Sequence, residues 1–321
     1  MKAAVFKTYG PPEVLKIEEI EKPVPKDDEV LVKVRATSVN PAEWYGMTGL
    51  FLARIGNGLL KPRDTRLGVD FSGIVEAVGK DVTQFKPGDE VYGARNGAFA
   101  EYVCVKSHVY PKPANITFEQ AGSVGVAAMT ALQGLRDHGG LQAGQTVIVN
   151  GASGGVGTFA VQIAKAIGAE VTAVCSSGNV ELIRSLGADH VIDYIKDDFT
   201  RNGKRYDIFL DIAGSRSWRE CSRVLKPNSK FVIVGAPKGN KVIGPLAHII
   251  KLRVSALGAS QKLVFFVAKF NREDFLLLND MFTRGQVKPV VEKSYPFEKT
   301  SEAMQHLGTG HAKGKIVVTM R

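Results

Sequence analysis

The stretch Asn150-Gly-Ala-Ser-Gly-Gly-Val-Gly157 decides the fold that this sequence predicts. It follows a short apolar run at residues 146–149 and opens a segment with helical spacing, which Gly168 ends. A pyrophosphate needs backbone N–H donors at close range, and the positive N-terminus of a helix attracts the anion. Glycines remove the side chains that would block this approach. A glycine loop between a strand and a helix therefore predicts a dinucleotide site, although its Gly-x-x-Gly-x-x-Gly spacing is not the usual Gly-x-Gly-x-x-Gly.

Short apolar runs and helical segments alternate on both sides of this loop. Apolar runs of this length are typical of strands buried on both faces, and helices between them indicate βαβ units. The pattern predicts an α/β domain with a doubly wound parallel sheet. The predicted strands are residues 146–149, 171–174, 190–193, 208–211 and 230–234, and the predicted helices include residues 156–167 and 180–186.

The N-terminal part of the chain has a β pattern instead. Residues 29–35 alternate apolar and charged side chains, and residues 71–78 and 98–105 form further runs. Lys86-Pro-Gly-Asp89 has the composition of a tight turn. Short strands with frequent turns predict a compact, barrel-like unit.

The pattern changes near residue 117, where Thr117 is a plausible N-cap for a helix over residues 117–136. A chain of 321 residues is too long for one ordinary core, so two domains are expected. After about residue 260 the alternation ends, with a predicted helix at 274–283 and a strand at 314–319. We expect a β domain made of residues 1–118 and 262–321, with an α/β domain inserted at 119–261.

Composition limits the class of protein. Hydrophobic residues make up 44% and charged residues 23%, as in globular proteins. The net charge of +10 comes from scattered Lys and Arg, which favours a chain that binds a phosphate-rich cofactor. Nucleic acid or anionic lipid is the alternative partner, but the sequence has no polybasic helix or RNA-binding motif. The longest apolar stretch, residues 262–268, is too short to span a bilayer, and the N-terminus has no apolar signal region.

Three cysteines lie far apart, which disfavours a disulfide framework and a structural zinc site. We expect a reducing compartment and a cytoplasmic protein.

The residues after the second predicted strand indicate the cofactor. Sites for NAD place an acidic residue at the end of this strand, where it binds the ribose diol. Here the strand ends in Cys175-Ser-Ser-Gly-Asn179, without an acid. A carboxylate would repel a 2′-phosphate, so its absence favours NADPH. Ser176, Ser177 and Asn179 are predicted to donate hydrogen bonds to the phosphate, since this loop contains no Arg or Lys.

Several motifs together resemble the quinone oxidoreductase (zeta-crystallin-like) branch of the medium-chain dehydrogenases and reductases. The resemblance covers essentially the whole chain. It implies a GroES-like β domain, an inserted Rossmann domain, a cleft between them and a homodimer joined edge to edge, with residues 253–257 as a candidate edge strand. The motifs are the glycine loop, Val39-Asn-Pro41, Leu67-Gly-Val-Asp-Phe-Ser-Gly73, Phe85-Lys-Pro-Gly-Asp-Glu-Val-Tyr92, Gly97-Ala-Phe-Ala-Glu-Tyr102, Gly187-Ala-Asp-His-Val-Ile-Asp-Tyr194 and His311-Ala-Lys-Gly-Lys-Ile-Val-Val318.

This chain departs from the zinc-dependent branch of the same family at the positions of the metal ligands. That branch carries a Cys where Asn40 stands and Gly-His-Glu where Gly68-Val-Asp70 stands. Alcohol oxidation on this scaffold relies on zinc to polarise the oxygen. We therefore expect no metal and a reaction with an activated acceptor, namely an enone, an enal or a quinone.

The resemblance implies roles for single residues. The expected catalytic residues are Asn40, Tyr45 and Asp70. Alternatively, Asn40 is a turn residue and Tyr45 is a packing residue. Asp70 is better suited to ordering the backbone of the cleft than to acting as an acid. Glu43 is a candidate partner of Asn40, and solvent is a candidate proton source. The expected cofactor-binding residues are Asn40, Thr130, Gly151, Ser153, Gly154, Gly155, Val156, Ser176, Ser177, Asn179, Tyr194, Gly235, Phe266 and Lys315.

Two segments are expected to cover the cleft, residues 51–66 and residues 258–266, and the second is alternatively a dimer surface. The substrate is then a small apolar carbonyl compound or quinone. Two alternatives stay open, namely an enoyl-thioester reductase and a non-catalytic protein that binds NADPH and associates with RNA or membrane.

Overall fold

The computed structural model describes residues 1–236 and 245–320 and divides the chain into two compact units. Unit 1 contains Met1–Met129 and Phe270–Arg321, and unit 2 contains Thr130–Lys269. The strands in chain order are β1 (Lys2–Val5), β2 (Lys16–Glu19), β3 (Val30–Ser38), β4 (Asp70–Val78), β5 (Glu90–Ala94), β6 (Tyr102–Val105), β7 (Val109–Pro111), β8 (Thr146–Asn150), β9 (Glu170–Cys175), β10 (His190–Asp193), β11 (Tyr206–Asp211), β12 (Leu225–Ile233), β13 (Lys262–Phe265), β14 (Val291–Pro296) and β15 (Lys315–Thr319).

The α-helices of the described residues connect or flank these strands. They are α1 (Pro41–Thr48), α2 (Phe51–Asn57), α3 (Phe118–Ala121), α4 (Gly125–Gln133), α5 (Gly155–Ile167), α6 (Val180–Ser185), α7 (Trp218–Cys221), α8 (Pro245–Ser255), α9 (Arg272–Thr283) and α10 (Thr300–Thr309). A π-helical segment, Gly134–Gly139, follows α4. In the described part of the chain, no helix has the length and apolar composition needed to cross a membrane.

Unit 2 is the expected doubly wound domain. Its sheet has the strand order β10-β9-β8-β11-β12-β13, and every pair is parallel. The chain runs from β8 outward to β10 and then returns to β11, so the order of the strands reverses between β8 and β11. Ligands of such sheets bind beyond the carboxyl ends of the strands at this reversal.

Unit 1 is the expected β domain. Its main sheet has the order β14-β15-β3-β4-β5-β7, β6 also pairs with β3, and β1 and β2 form a separate antiparallel pair. The C-terminal strand β15 lies between β14 and β3, which brings strands from both parts of unit 1 into one sheet. The core under this sheet includes Phe6, Met47, Phe71, Phe99 and Met304.

The predicted helix over residues 117–136 is broken in the structure. Thr117 does cap α3, in a capping box with Gln120. The helix stops at Ala121 and a new helix starts at Gly125. At the break, a side chain on Gly122 would overlap the Ala36 carbonyl oxygen, and the Ser72 hydroxyl donates to the Phe118 carbonyl oxygen (2.6 Å).

Both boundaries of unit 2 lie later in the chain than predicted, at Thr130 and Lys269 and not at residues 119 and 261. The first boundary lies inside α4. The start of this helix belongs to unit 1, because the Val126 amide donates to the Asp70 carboxylate (2.7 Å). The second boundary falls after Lys269, whose backbone exchanges two hydrogen bonds with the Gln133 side chain (2.7 and 3.0 Å). Phe270, the next residue, packs against His108 of unit 1 with ring centroids 5.9 Å apart.

The expected edge strand at residues 253–257 is wrong. This stretch ends the helix α8 and continues into a turn, because Ile249 and Leu252 lie one helical turn apart and both enter the core of unit 2. The two edge strands of the described sheet are β10 and β13. Residues 262–265 are therefore hydrogen-bonded into the sheet, which contradicts their expected role as part of a cover.

The aromatic core of unit 1 generates a stability prediction. Phe275 on α9 is fully buried, and its ring stacks on Tyr110 with centroids 4.6 Å apart. We expect Phe275→Ala to lower the free energy of unfolding by about 3–5 kcal/mol, because it opens a cavity that the sheet cannot fill. The control is Leu276→Ala, since Leu276 is the next residue of the helix and is 46% exposed. Denaturant unfolding that gives equal losses for both variants would contradict this assignment of the core.

Candidate active site

The glycine loop joins β8 to α5 at the carboxyl edge of the parallel sheet. Gly151 has φ 89°, a left-handed conformation that favours glycine, and a Cβ atom on Gly157 would overlap the Gly151 carbonyl oxygen. Gly154 is the N-cap of the 13-residue helix α5 and has no side chain to cap the free N–H groups of the first turn. The loop and helix end therefore fit an anionic phosphate. Among the predicted cofactor residues, this region holds Gly151, Ser153, Gly154, Gly155 and Val156.

The predicted phosphate-binding side chains lie in the loop that follows β9. The Asn179 amide donates to the Ser176 hydroxyl oxygen (2.9 Å) and to the Ser153 hydroxyl oxygen (3.3 Å), which links this loop to the glycine loop. The Oδ1 atom of Asn179 is buried without a hydrogen-bond partner. An orphaned polar atom beside an uncapped helix end is consistent with a bound polar group at this place. Ser153, Ser176 and Asn179 therefore lie together, but the Asn179 amide donates to side chains of the protein and not to a phosphate.

Ser177 has a different partner from the one that we expected. Its hydroxyl donates to the carboxylate of Asp193, the last residue of β10 (2.5 Å). This hydrogen bond is the main cause that lowers the pKa of Asp193. Ser177 thus has no proton left for a phosphate in this arrangement. Asp193 was not predicted as a site residue, because the acid of an NAD site is expected at the end of β9 and not at the end of the neighbouring strand.

Four other predicted cofactor residues are distributed over unit 2. Thr130 is half-buried on α4, and Tyr194 follows β10 with 49% of its surface exposed. Gly235 follows β12, where its backbone passes too close to the Ile212 carbonyl oxygen for any side chain. Phe266 stacks on His138 with ring centroids 4.2 Å apart. The end of a strand positions three of these residues, Tyr194, Gly235 and Phe266.

A buried acid at the reversal of the sheet was also missed. Asp211 ends β11, and its Oδ1 atom accepts hydrogen bonds from the Asn150 side chain (2.8 Å) and the Gly214 amide (3.0 Å). Its Oδ2 atom is buried without a partner. Burial raises the pKa of Asp211 to about 6, against the effect of these two donors. Asp211 thus holds Asn150, the residue from which the glycine loop departs.

The structure brings two of the predicted catalytic residues of unit 1 into one buried network. Asn40 is the N-cap of α1 and Asp70 is the first residue of β4. The Asp70 Oδ2 atom accepts from the Asn40 side chain (3.1 Å) and the Ser38 hydroxyl (2.6 Å). The Lys315 ammonium, from the other end of the chain, donates to Asn40 Oδ1 and to Asp70 Oδ2 (3.4 Å). The buried side chains of Asn40, Asp70 and Lys315, which were predicted separately, are therefore joined in one hydrogen-bonded network.

Glu43 extends this network from the first turn of α1. Its Oε1 atom accepts from the Asn40 amide (3.2 Å), while its Oε2 atom is buried without a partner. Burial raises the pKa of Glu43 to about 7, and the nearby Asp70 carboxylate adds to the rise. One buried ammonium faces two carboxyl groups here, so a proton on Glu43 keeps the network neutral. Glu43 is spaced three residues from Asn40, and this spacing was the only sequence signal for the contact.

Tyr45 lies two residues beyond Glu43 and is half-buried. Burial raises its pKa, so the phenol is a weaker acid than an exposed tyrosine. The structure assigns no hydrogen bond to its hydroxyl within the described residues. Tyr45 is therefore the one predicted catalytic residue outside the Asn40–Asp70 network.

The segment at residues 51–66, expected to cover the site, is helical at its start and exposes apolar side chains. Phe51, Ile55 and Leu60 are 48%, 60% and 94% exposed. Tyr9 holds the segment at its middle, because its hydroxyl donates to the Gly58 carbonyl oxygen (2.7 Å) and its ring faces the Arg54 guanidinium. Its end is also attached, because the Phe6 amide donates to the Thr65 carbonyl oxygen (2.9 Å).

All three cysteines are free thiols, and Cys175 and Cys221 are buried. In the part of the chain that the structure describes, no three His, Cys, Asp or Glu side chains converge as metal ligands would. The Asn40 and Asp70 side chains are both bound to the Lys315 ammonium.

A parallel sheet with a glycine loop at its reversal, combined with a separate β domain, defines a dinucleotide-binding protein of the dehydrogenase type. Comparison with known proteins supports this class. Residues 26–114 match the family described as alcohol dehydrogenase GroES-like domain, and residues 186–318 match the family described as zinc-binding dehydrogenase.

Relatives with similar sequences narrow the class. The mitochondrial NAD(P)H oxidoreductase RTN4IP1 of Bos taurus is 35% identical, over 100% of this chain and 89% of its own length. The chloroplastic NADPH-dependent alkenal/one oxidoreductase of Arabidopsis thaliana is also 35% identical, over 99% of this chain and 79% of its own length. The structure of the quinone oxidoreductase from Coxiella burnetii has a TM-score of 0.85 and 28% identity, covering 100% of this chain and 99% of that one.

The chain belongs to the medium-chain dehydrogenase/reductase family, in its zinc-free, quinone oxidoreductase-like branch. It is accordingly an oxidoreductase with a GroES-like domain and a Rossmann-type domain. The fold predicted from the sequence is thereby confirmed.

The buried proton of Glu43 generates a pH prediction. In the folded chain its pKa is about 7, above the ordinary value of 4.5. Between these two values the folded chain keeps a proton that the unfolded chain has released, so the free energy of unfolding falls as pH rises through this window. The loss is nearly complete about one pH unit above the folded-state pKa. Gln at this position has no such proton to lose. We expect the difference in free energy of unfolding between Glu43→Gln and the natural chain to shift in favour of the variant by on the order of 2–3 kcal/mol from pH 5 to pH 8.

Urea unfolding at pH 5 and pH 8 measures this difference. Asp211 titrates in a similar range, but it is present in both proteins and cancels. The exposed Glu21, changed to Gln, is the control and should show no pH-dependent gain. A Glu43→Gln gain that is the same at both pH values would show that Glu43 does not hold the proton.

Proposed function

We propose that this chain is an NADPH-dependent, zinc-independent reductase, which transfers hydride to quinones or to α,β-unsaturated carbonyl compounds. The observation that carries the proposal is the Lys315 ammonium bound to Asn40 and Asp70, at the positions where the zinc-dependent branch has its metal site. A fixed positive charge of the chain itself suits acceptors that are already activated. The names of the quinone and alkenal/one oxidoreductases among its relatives point in the same direction.

The residues of unit 2 would hold the cofactor. The N–H groups of Gly155 and Val156 at the start of α5 would bind the pyrophosphate, and the glycines keep side chains away from it. Asn150, held by Asp211, fixes the point from which this loop leaves the sheet. Tyr194 would pack against the adenosine end, with Thr130, Gly235 and Phe266 as further contacts. NADPH is favoured because β9 ends without an acidic residue.

The bound nicotinamide supplies the hydride. The residues of unit 1 would orient the acceptor and stabilise the negative charge that develops on its oxygen. The Lys315 ammonium has three N–H donors, of which two are directed at Asn40 and Asp70. The third donor would be available to the acceptor oxygen. Tyr45 could relay a proton from solvent to the product, although burial raises its pKa and so makes its phenol a weaker acid.

The function is tested by the oxidation of NADPH, and separately of NADH, with a panel of acceptors in the presence of a chelator. The panel contains quinones, short enones and enals, and enoyl thioesters. We expect chelator-resistant oxidation of NADPH with a quinone or an enone. Turnover of enoyl thioesters alone would favour the fatty-acid type of reductase instead. Tight binding of NADPH without turnover of any acceptor would overturn the proposal and favour a binding role with RNA or membrane.

The glycine loop allows a sharper test of cofactor binding. A Cβ atom at Gly154 would meet only the Gly151 carbonyl oxygen, at 3.6 Å, so Gly154→Ala should fold normally. Its methyl group would lie at the free end of α5 and should weaken NADPH binding at least about tenfold, because it obstructs the phosphate. Gly56→Ala, in open space on α2, is the matched control. Fluorescence titration with NADPH measures the affinity, and unchanged binding by Gly154→Ala would place the cofactor elsewhere.

A cytoplasmic homodimer is also part of the proposal. The three free thiols suit a reducing compartment. Two of the relatives described above carry mitochondrial or chloroplastic in their names, so fractionation of cells that produce the chain is the direct test. Light scattering of the purified protein would determine the number of subunits.

A further inference from the structure

The carboxylate that β9 lacks is present on the neighbouring strand. β9 and β10 pair in parallel, and Asp193 at the end of β10 lies opposite Cys175 at the end of β9. The carboxyl ends of both strands therefore reach the same edge of the sheet, where the loop from Ser176 to Asn179 begins. In dinucleotide-binding sheets this is the place of the ribose 2′-substituent.

Hydrogen bonds hold the Asp193 carboxylate in place at this edge. Its Oδ2 atom accepts from the Ser177 hydroxyl (2.5 Å), and its Oδ1 atom accepts from the Ile195 amide (3.1 Å). Asp193 is 8% exposed, and the Ser177 hydrogen bond lowers its pKa. A fixed negative charge is thus bound directly to a residue of the loop that would receive the cofactor.

One cation stands beside this charge. The Lys196 ammonium lies 3.9 Å from Asp193 Oδ2, and the Lys196 side chain is 72% exposed. The distance is at the outer limit of an ion pair, and an exposed lysine has a flexible stem that can turn to another anion. The loop itself, Cys175-Ser-Ser-Gly-Asn179, contains no cation. Lys196, as the cation paired with Asp193, is therefore placed to compensate a 2′-phosphate at this edge.

We propose that Asp193 and Lys196 together determine the choice between NADPH and NADH. Asp193 repels the 2′-phosphate and holds the Ser177 hydroxyl away from it. Lys196 has the opposite effect, because its ammonium moves from Asp193 to the phosphate and pairs with it. The two effects oppose each other, so the preference for NADPH over NADH is small in the natural chain. The inference rests on the proposed function, because it assumes that a nicotinamide dinucleotide binds to the glycine loop.

The test compares the KM values for NADPH and NADH in charge variants. Asp193→Asn removes the repulsion and retains the shape of the side chain, so the KM for NADPH should fall about three- to tenfold, with little change for NADH. Lys196→Gln should raise the KM for NADPH by a similar factor, again with little change for NADH. Both effects should shrink as the salt concentration rises, since the charges lie near the surface.

Asp197→Asn and Lys204→Gln are the matched controls. Both residues are exposed, and each variant makes the same change of net charge as its counterpart. A control that changes the ratio of the two KM values as much as its counterpart would overturn the proposal, because only overall charge would then matter. An Asp193→Asn variant that alters both cofactors equally would also overturn it, because Asp193 would then only support the fold.

A binding measurement separates this inference from the proposed function. Calorimetric titration with adenosine 2′,5′-bisphosphate and with AMP reports the 2′-phosphate directly, without turnover. We expect Asp193→Asn to strengthen the binding of the bisphosphate and to leave AMP unchanged. If neither compound nor NADPH binds to the natural chain, the proposed function itself fails. If they bind and Asp193→Asn does not alter their ratio, only the present inference fails.

Discussion

The carboxylate of Asp70 is the constraint on which unit 1 depends. It is fully buried, and it accepts hydrogen bonds from Ser38 at the end of β3, Asn40 at the start of α1, Val126 near the start of α4 and Lys315 on β15. A buried carboxylate without these donors would cost several kcal/mol, so all four elements must be in place together. The residues expected to perform the chemistry are the same ones that hold the C-terminal strand in the sheet.

The same network binds an ammonium with side chains of the chain itself. An ammonium is a compact positive charge with directed donors, and here it is surrounded by an amide oxygen and a carboxylate. Glu43 adds a second carboxyl group, and burial together with the nearby Asp70 raises its pKa to about 7. The network can therefore stay neutral by holding one proton. Such a proton makes the site sensitive to pH near neutrality.

Unit 2 follows a second constraint, the close approach of backbone at the carboxyl edge of the sheet. Gly157 lies against the Gly151 carbonyl oxygen and Gly235 against the Ile212 carbonyl oxygen, so neither position has space for a side chain. Asp211 and Asp193 place two acids at the same edge, one buried at the reversal of the sheet and one beside the loop after β9. Their opposite pKa shifts have a simple cause, since desolvation dominates at Asp211 and the Ser177 hydrogen bond dominates at Asp193.

The sequence by itself determined the class of fold and the glycine loop. The apolar runs, the glycine spacing and the Thr117 cap are local signals, and local geometry follows from neighbouring residues. Only the tertiary structure decided which distant side chains meet. Lys315 and Asp70 are separated by 245 positions, and Asp193 reaches Ser177 only because β10 pairs with β9. Residues 253–257 form the end of a helix and a turn because their neighbours Ile249 and Leu252 are buried one helical turn apart. This burial depends on the core of unit 2, which other parts of the chain form.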